Sequence, residues 1–142
     1  MIGRINVQVI VFTISPIFRV LILQRVPERN SYWQPISGGI EKGEEPIDTV
    51  KREVFEETGI RALKTIIDLN YTFTFETMWH GKLTKMKEIC FAVEIKEIRE
   101  IRLSNEHQDY KWCTEIEAKK FLKWEHNLIA LNRLVEILNL KD

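Results

Sequence analysis

Glu53, Glu56 and Glu57 stand at i, i+3 and i+4, immediately after Arg52. In a helix, about 100° per residue puts three such carboxylates on one face roughly 100° wide. Like charges at those steps cost a helix roughly 0.2–0.5 kcal/mol per pair, so the cluster calls for something that offsets the repulsion. A hard divalent cation with oxygen ligands does so, and Mg²⁺ is the usual ion where phosphates complete the shell. Arg52 can fix the orientation of one acid through a charge-assisted pair.

The flanking residues supply what such a helix needs. Gly38, Gly39 and Gly43 give a glycine-rich approach whose backbone can come close to a phosphate or a metal. Pro46 fits the first helical turn, with Glu44 and Glu45 near the positive end of the helix dipole. Gly59 suits a left-handed stop. Ile47, Val50 and Val54 recur at helical spacing on the neighbouring face and predict packing against a sheet. A capped, solvated acidic helix is the plain alternative, but it leaves the glycine turn, the arginine and the carboxylate spacing as separate coincidences.

Read by position, the segment GGIEKGEEPIDTVKREVFEETGI is Gly38, five residues, Glu44, seven residues, Arg52-Glu53-Val54, one residue, Glu56-Glu57, one residue, Gly59-Ile60. It resembles the Nudix hydrolase signature at every fixed position. The resemblance implies an α/β fold, an α/β/α sandwich around a mixed β-sheet, and a metal-dependent pyrophosphohydrolase activity. It also implies metal ligands Glu53, Glu56 and Glu57, with Glu106 and the Ser37 carbonyl as further ligands, for Mg²⁺ or alternatively Mn²⁺. A carboxylate, Glu53 or Glu106, would take the proton from an attacking water. Glu53 is favoured because Arg52 beside it can fix its geometry.

Three further stretches resemble particular Nudix groups. IRLSNEHQDYKW, Ile101 to Trp112, is similar to the loop and strand after the signature in the asymmetric dinucleoside tetraphosphate hydrolases and in the dATP/dihydroneopterin triphosphate pyrophosphohydrolases. There Glu106 would reach over the acidic helix and Tyr110 would help to hold a base or pterin ring. VLILQRVPERNSYWQPISGGIEKGE and the later KWEHNLIAL resemble the triphosphate group. Arg25 could hold a phosphate or pair on the surface, and Trp33 could wall a base or sit in the core. Ser37 stands where many tetraphosphate hydrolases carry lysine. The expected substrate is therefore a nucleoside triphosphate-type compound, with dinucleoside tetraphosphate as runner-up and a non-catalytic nucleotide sensor behind both. His107 could orient a carboxylate, bind phosphate or make a structural hydrogen bond. His80 and His126 have no metal-ligand spacing around them.

The chain of 142 residues fits one domain, 1–142, and its 21 basic and 21 acidic residues give zero net charge. No global field draws it to nucleic acid or an anionic membrane, so the expected partner is a small-molecule nucleoside polyphosphate. Cys90 and Cys113 read as reduced core residues in a cytoplasmic protein. No stretch is long enough to span a bilayer.

Period-2 runs predict strands at Asn6–Ile14, Phe18–Val26, Trp33–Ser37, Ala62–Thr77, Glu88–Ile98 and Tyr110–Cys113, with a polar loop over Pro27–Ser31. Apolar steps of three and four predict helices over Ile116–Lys123 and Asn127–Leu140. The last of these would turn Leu128, Leu131, Leu134, Val135 and Leu138 inward. Such a helix suits a monomer or a homodimer.

Overall fold

Alternation along the first strand sends Val7, Val9 and Val11 to one side of the sheet and Ile10 and Phe12 to the other, and both sets are buried. A strand buried on both faces belongs in the middle of a layered fold. This strand, β1 (Arg4–Thr13), does lie there in a computed structural model that describes residues 1–139. The other strands are β2 (Arg19–Arg25), β3 (Trp33–Gln34), β4 (Ile36–Gly39), β5 (Thr65–Trp79), β6 (Lys82–Glu94) and β7 (His107–Cys113). Three helices complete the chain: α1 (Pro46–Thr58), α2 (Glu115–Phe121) and α3 (Glu125–Leu138). Leu140, the expected end of the last helix, lies outside the described residues.

The seven-stranded sheet runs β3-β2-β1-β6-β5, with β4 also paired to β1 and β7 to β2. β1 and β6 are parallel from Arg4↔Met86 to Phe12↔Glu94, while the other pairs are antiparallel, so the sheet is mixed. Val50 and Val54 of α1 pack on the Val7, Val9 and Val11 face. Ala118 and Leu122, with Ala130, Leu131, Leu134 and Val135 of α3, cover the face of Ile10 and Phe12. Helices on both faces make the α/β/α sandwich that the sequence implied. Full burial of Val50 or Val54 contributes roughly 1.5–3 kcal/mol each. Leu128 and Leu138 pack against the same cluster as Leu131, Leu134 and Val135, as the stripe predicts.

Several local expectations change. Ile47 is 40% exposed rather than inward, because it sits in the first helical turn beyond the edge of the buried stripe. The single strand expected over Trp33–Ser37 is split at Pro35, which has no N–H to give a ladder. Gly38 and Gly39 lie in β4 itself, opposite Val7 and Asn6, so the bend into α1 comes after them. The β1–β2 hairpin pairs only at Phe12↔Val20 and Thr13↔Arg19. Beyond that point the strands part, and β4 takes the place beside the first half of β1. That divergence brings the glycine strand against α1. Pro27–Arg29 forms a 3₁₀ turn within the expected loop.

Candidate active site

α1 begins where Asp48 accepts a hydrogen bond from the Glu45 N–H at 3.0 Å, with Pro46 in its first turn. It ends at Gly59, whose φ of 80° is left-handed and whose N–H donates to the Phe55 carbonyl at 2.8 Å. Between these ends, Arg52 gathers the site. Its Nε donates to Glu44 Oε2 at 2.7 Å and its Nη2 to Glu44 Oε1 at 3.0 Å, a two-toothed grip on one carboxylate. Nη1 donates to Glu53 Oε2 at 2.7 Å and to Glu56 Oε1 at 3.2 Å. Nη2 also donates to the Gly39 carbonyl at 2.9 Å, tying the helix to β4.

The electrostatics follow from these contacts. Arg52 holds the Glu44 carboxyl down at about 2. Burial pushes the Glu53 carboxyl up to about 7 against the pull of Arg52, and the charges of Glu56 and Glu57 add to the rise. Glu57 differs. Burial would raise it, but His107 and Ser104 together hold it below its usual value. His107 Nδ1 is 2.8 Å from Glu57 Oε1, and Ser104 Oγ donates to the same oxygen at 2.7 Å.

Glu53 and Glu57 are 8% and 5% exposed, whereas the Glu56 side chain is half exposed. A Cβ placed on Gly38 would overlap the Glu53 carboxyl, so glycine there leaves the space that the carboxyl occupies. Among the described residues, no group of three acidic, histidine or cysteine side chains is arranged to hold a metal ion. Arg52 draws Glu53 and Glu56 towards itself while His107 and Ser104 draw Glu57 away. The donor set of hard carboxylate oxygens in a glycine-made recess nevertheless suits a divalent cation.

The other expected site residues are more dispersed. Glu106 is exposed, and its carbonyl accepts from the Val26 N–H at 3.1 Å while its charge acts on Arg25. Arg25 is half-buried on β2, where it pairs with His107 of β7 across a bulge. The Ser37 hydroxyl donates to Glu88 at 2.9 Å. Tyr110 packs against the cluster beneath α1. Trp33 packs on the opposite cluster, with its ring 5.6 Å from that of Phe121. Gly39 lies under the Arg4 guanidinium.

A family model described as a NUDIX domain matches residues 4–132. The chain belongs to the Nudix family. Three relatives are similar to this Nudix domain over much of its length. The dihydroneopterin triphosphate diphosphatase of Escherichia coli is 32% identical over 126 residues, covering 82% of this chain and 83% of that protein. An octanoyltransferase of Myxococcus xanthus is 36% identical over 98 residues, 69% of this chain but 27% of that protein. The asymmetrical bis(5'-nucleosyl)-tetraphosphatase of Rattus norvegicus is 34% identical over 66% of this chain and 63% of that protein. The chain thus spans only part of the last two. The solved structure of the E. coli dihydroneopterin triphosphate pyrophosphohydrolase superposes with a TM-score of 0.81, 28% identity, and coverage of 96% of this chain and 99% of that one.

Three residues of the Nudix site were not assigned their roles from sequence. Glu44 is the main partner of Arg52, though its place in the motif was read only as a dipole effect. Ser104 donates to the Glu57 carboxylate. Glu88 is a buried carboxylate that accepts from Ser37 and from Asn6 at 3.2 Å, and burial raises its pKa. Its signal was a lone acid at the head of an apolar run, Glu88-Ile89-Cys90-Phe91-Ala92-Val93.

Proposed function

We propose that this chain, a single Nudix domain over 1–142, is an Mg²⁺-dependent pyrophosphohydrolase acting on a nucleoside triphosphate-type substrate such as dATP or dihydroneopterin triphosphate. Water attacks phosphorus, and the products are a monophosphate and pyrophosphate. One observation carries the reading: two buried carboxylates, Glu53 and Glu57, share a helical face with Glu56 while Arg52 ties that face to the glycine strand. Even a matched buried charge is often no more stabilising than apolar residues of the same volume, so the retention of these acids points to chemistry.

Glu53, Glu56 and Glu57 would hold the metal, Mg²⁺ or alternatively Mn²⁺, with Glu106 and the Ser37 carbonyl as further ligands. When bound, the ion supplies charge neutralisation at the phosphates and polarisation of the P–O bond. Glu56 must swing off Arg52 to join the set, and its half-exposed side chain leaves it room to do so. Arg52 keeps the Glu53 carboxylate aimed while Glu53 takes the proton of the attacking water, with Glu106 as the alternative base. Arg25 is the candidate phosphate grip. Gly38 and Gly39 let the chain come close to the diphosphate.

The resemblance to the E. coli dihydroneopterin triphosphate diphosphatase over most of both chains supports the triphosphate reading. Ser37 in the lysine position supports it too. The rat tetraphosphatase keeps asymmetric cleavage of a dinucleoside tetraphosphate as the second reading. Two buried free thiols fit a reducing, cytoplasmic setting, and no helix among the described residues is long and apolar enough to cross a membrane. A nucleotide panel incubated with Mg²⁺, its products resolved by chromatography, tests the proposal. Monophosphate plus pyrophosphate supports it, while ATP plus AMP from the tetraphosphate supports the second reading. Nucleotide binding without turnover anywhere in the panel would reject both in favour of a sensor.

A further inference from the structure

We infer that His107 and Ser104 are a positioning pair for Glu57, fixing which of its oxygens faces the metal and locking the loop that carries Glu106 onto the acidic helix. This rests on the proposed metal role of Glu57. Two polar groups from one short segment converge on a single oxygen: His107 Nδ1 is 2.8 Å from Oε1, and Ser104 Oγ donates to it at 2.7 Å. Neither touches Oε2, which is thereby left as the oxygen for an incoming cation. The imidazole contact is an ion-pairing distance rather than an aligned hydrogen bond, and the far nitrogen, Nε2, is buried with no protein partner.

The pair also sits at a junction. The Glu106 N–H donates to Ser104 Oγ at 3.2 Å, and the His107 N–H donates to the Ser104 carbonyl at 3.3 Å, so the three residues move as one turn. His107 is paired across the sheet with Arg25, and the Gln108 side chain donates to the Arg25 carbonyl at 2.9 Å. One grip on Glu57 therefore sets the place of a helix acid, of the loop acid Glu106 and of the Arg25 backbone. Stability alone asks that a buried carboxylate be matched; placing both groups on one oxygen is what leaves the other oxygen free. Groups that orient a metal's ligands usually change affinity about 10- to 100-fold when removed.

The test titrates Mn²⁺ alone into the full chain, followed by electron paramagnetic resonance, for wild type and for His107→Ala, His107→Asn and Ser104→Ala, with thermal melts alongside. His107→Ala should weaken Mn²⁺ binding about 10- to 100-fold. His107→Asn, whose amide nitrogen reaches the place of Nδ1, should restore most of it. Ser104→Ala should weaken binding about 2- to 10-fold, as expected for one lost hydrogen bond, and it carries the test if His107→Ala does not fold. Wild-type Mn²⁺ affinity in folded His107→Ala and in Ser104→Ala, whatever their melting temperatures, overturns the inference and leaves the proposed function standing. A wild-type protein that binds no Mn²⁺ removes both.

Discussion

Arg52 grips both oxygens of Glu44, Nε on Oε2 at 2.7 Å and Nη2 on Oε1 at 3.0 Å, while its remaining donor reaches Glu53 at 2.7 Å. The guanidinium is thus a rigid spacer between the loop before α1 and the proposed base. A lysine keeps the charge but cannot span these partners with one ammonium. Arg52→Lys should therefore fold normally and lose about 10²-fold in kcat, the scale set by misplacing a catalytic group by about 1 Å. Steady-state kinetics with circular dichroism as the fold control would check this. Activity within a few-fold of wild type would mean that the spacer role is wrong.

Gly38 gives a sterically sharper prediction. A Cβ there would overlap the Glu53 carboxyl, so Gly38→Ala must move either β4 or the acid. Because β4 is paired to β1 at this point, the side chain is the softer element. The variant should keep its sheet and its melting behaviour close to wild type while kcat falls about 10²-fold. A crystal structure of Gly38→Ala with Glu53 in its wild-type rotamer would contradict the argument.

These contacts mark what could and could not be read along the chain. The helix α1 was legible because its period, its Pro46 start and its Gly59 stop are local properties. Its chemistry was legible because three acids and an arginine fall within one and a half turns. From the chain alone Gly38 offers a backbone that can come close to a phosphate or a metal, yet the fold also uses its missing Cβ, and the group that needs that space lies on another element. Glu44 and Ser104 gain their roles only through partners on other elements, as does the parallel register of β1 with β6. Ile47 is a smaller difference of the same kind, whereas the break at Pro35 follows from proline's own missing N–H. Periodicity places a face to within a residue or two, and the neighbouring strand decides which residue is the last one covered.

Glu56 and Glu57 carry the same formal role with different surroundings, so their amides should behave differently. The Glu56 side chain is half exposed and its one partner is Arg52 at 3.2 Å. Glu56→Gln should leave stability within about 0.5 kcal/mol of wild type, as surface changes usually do. Glu57 is buried against His107 and Ser104, so Glu57→Gln should also lower the melting temperature. Both should lose kcat by at least ~10²-fold if they hold the ion whose charge stabilises the transition state. Near-normal Mg²⁺-dependent turnover in both would reject the ligand assignment, and equal melting temperatures would reject the distinction between them.

The two cysteines give a prediction about pH that is independent of the site. Burial pushes the Cys90 thiol up to about 12 and the Cys113 thiol up to about 11, so the native chain keeps both neutral where an unfolded chain ionises them from about 8.5. An acid group whose folded pKa is raised favours the native state only while the unfolded group is still protonated. Its contribution is intact below about pH 8.5 and is lost as pH rises towards the native values. Denaturant midpoints should therefore fall more steeply between pH 8 and 10 for wild type than for a Cys90→Ala, Cys113→Ala double variant. Neither thiol should react with an alkylating reagent at pH 8 until denaturant is added. Rapid labelling of the native protein, or parallel pH curves for the two proteins, would mean that these sulfurs are not sealed in the core that α3 closes over them.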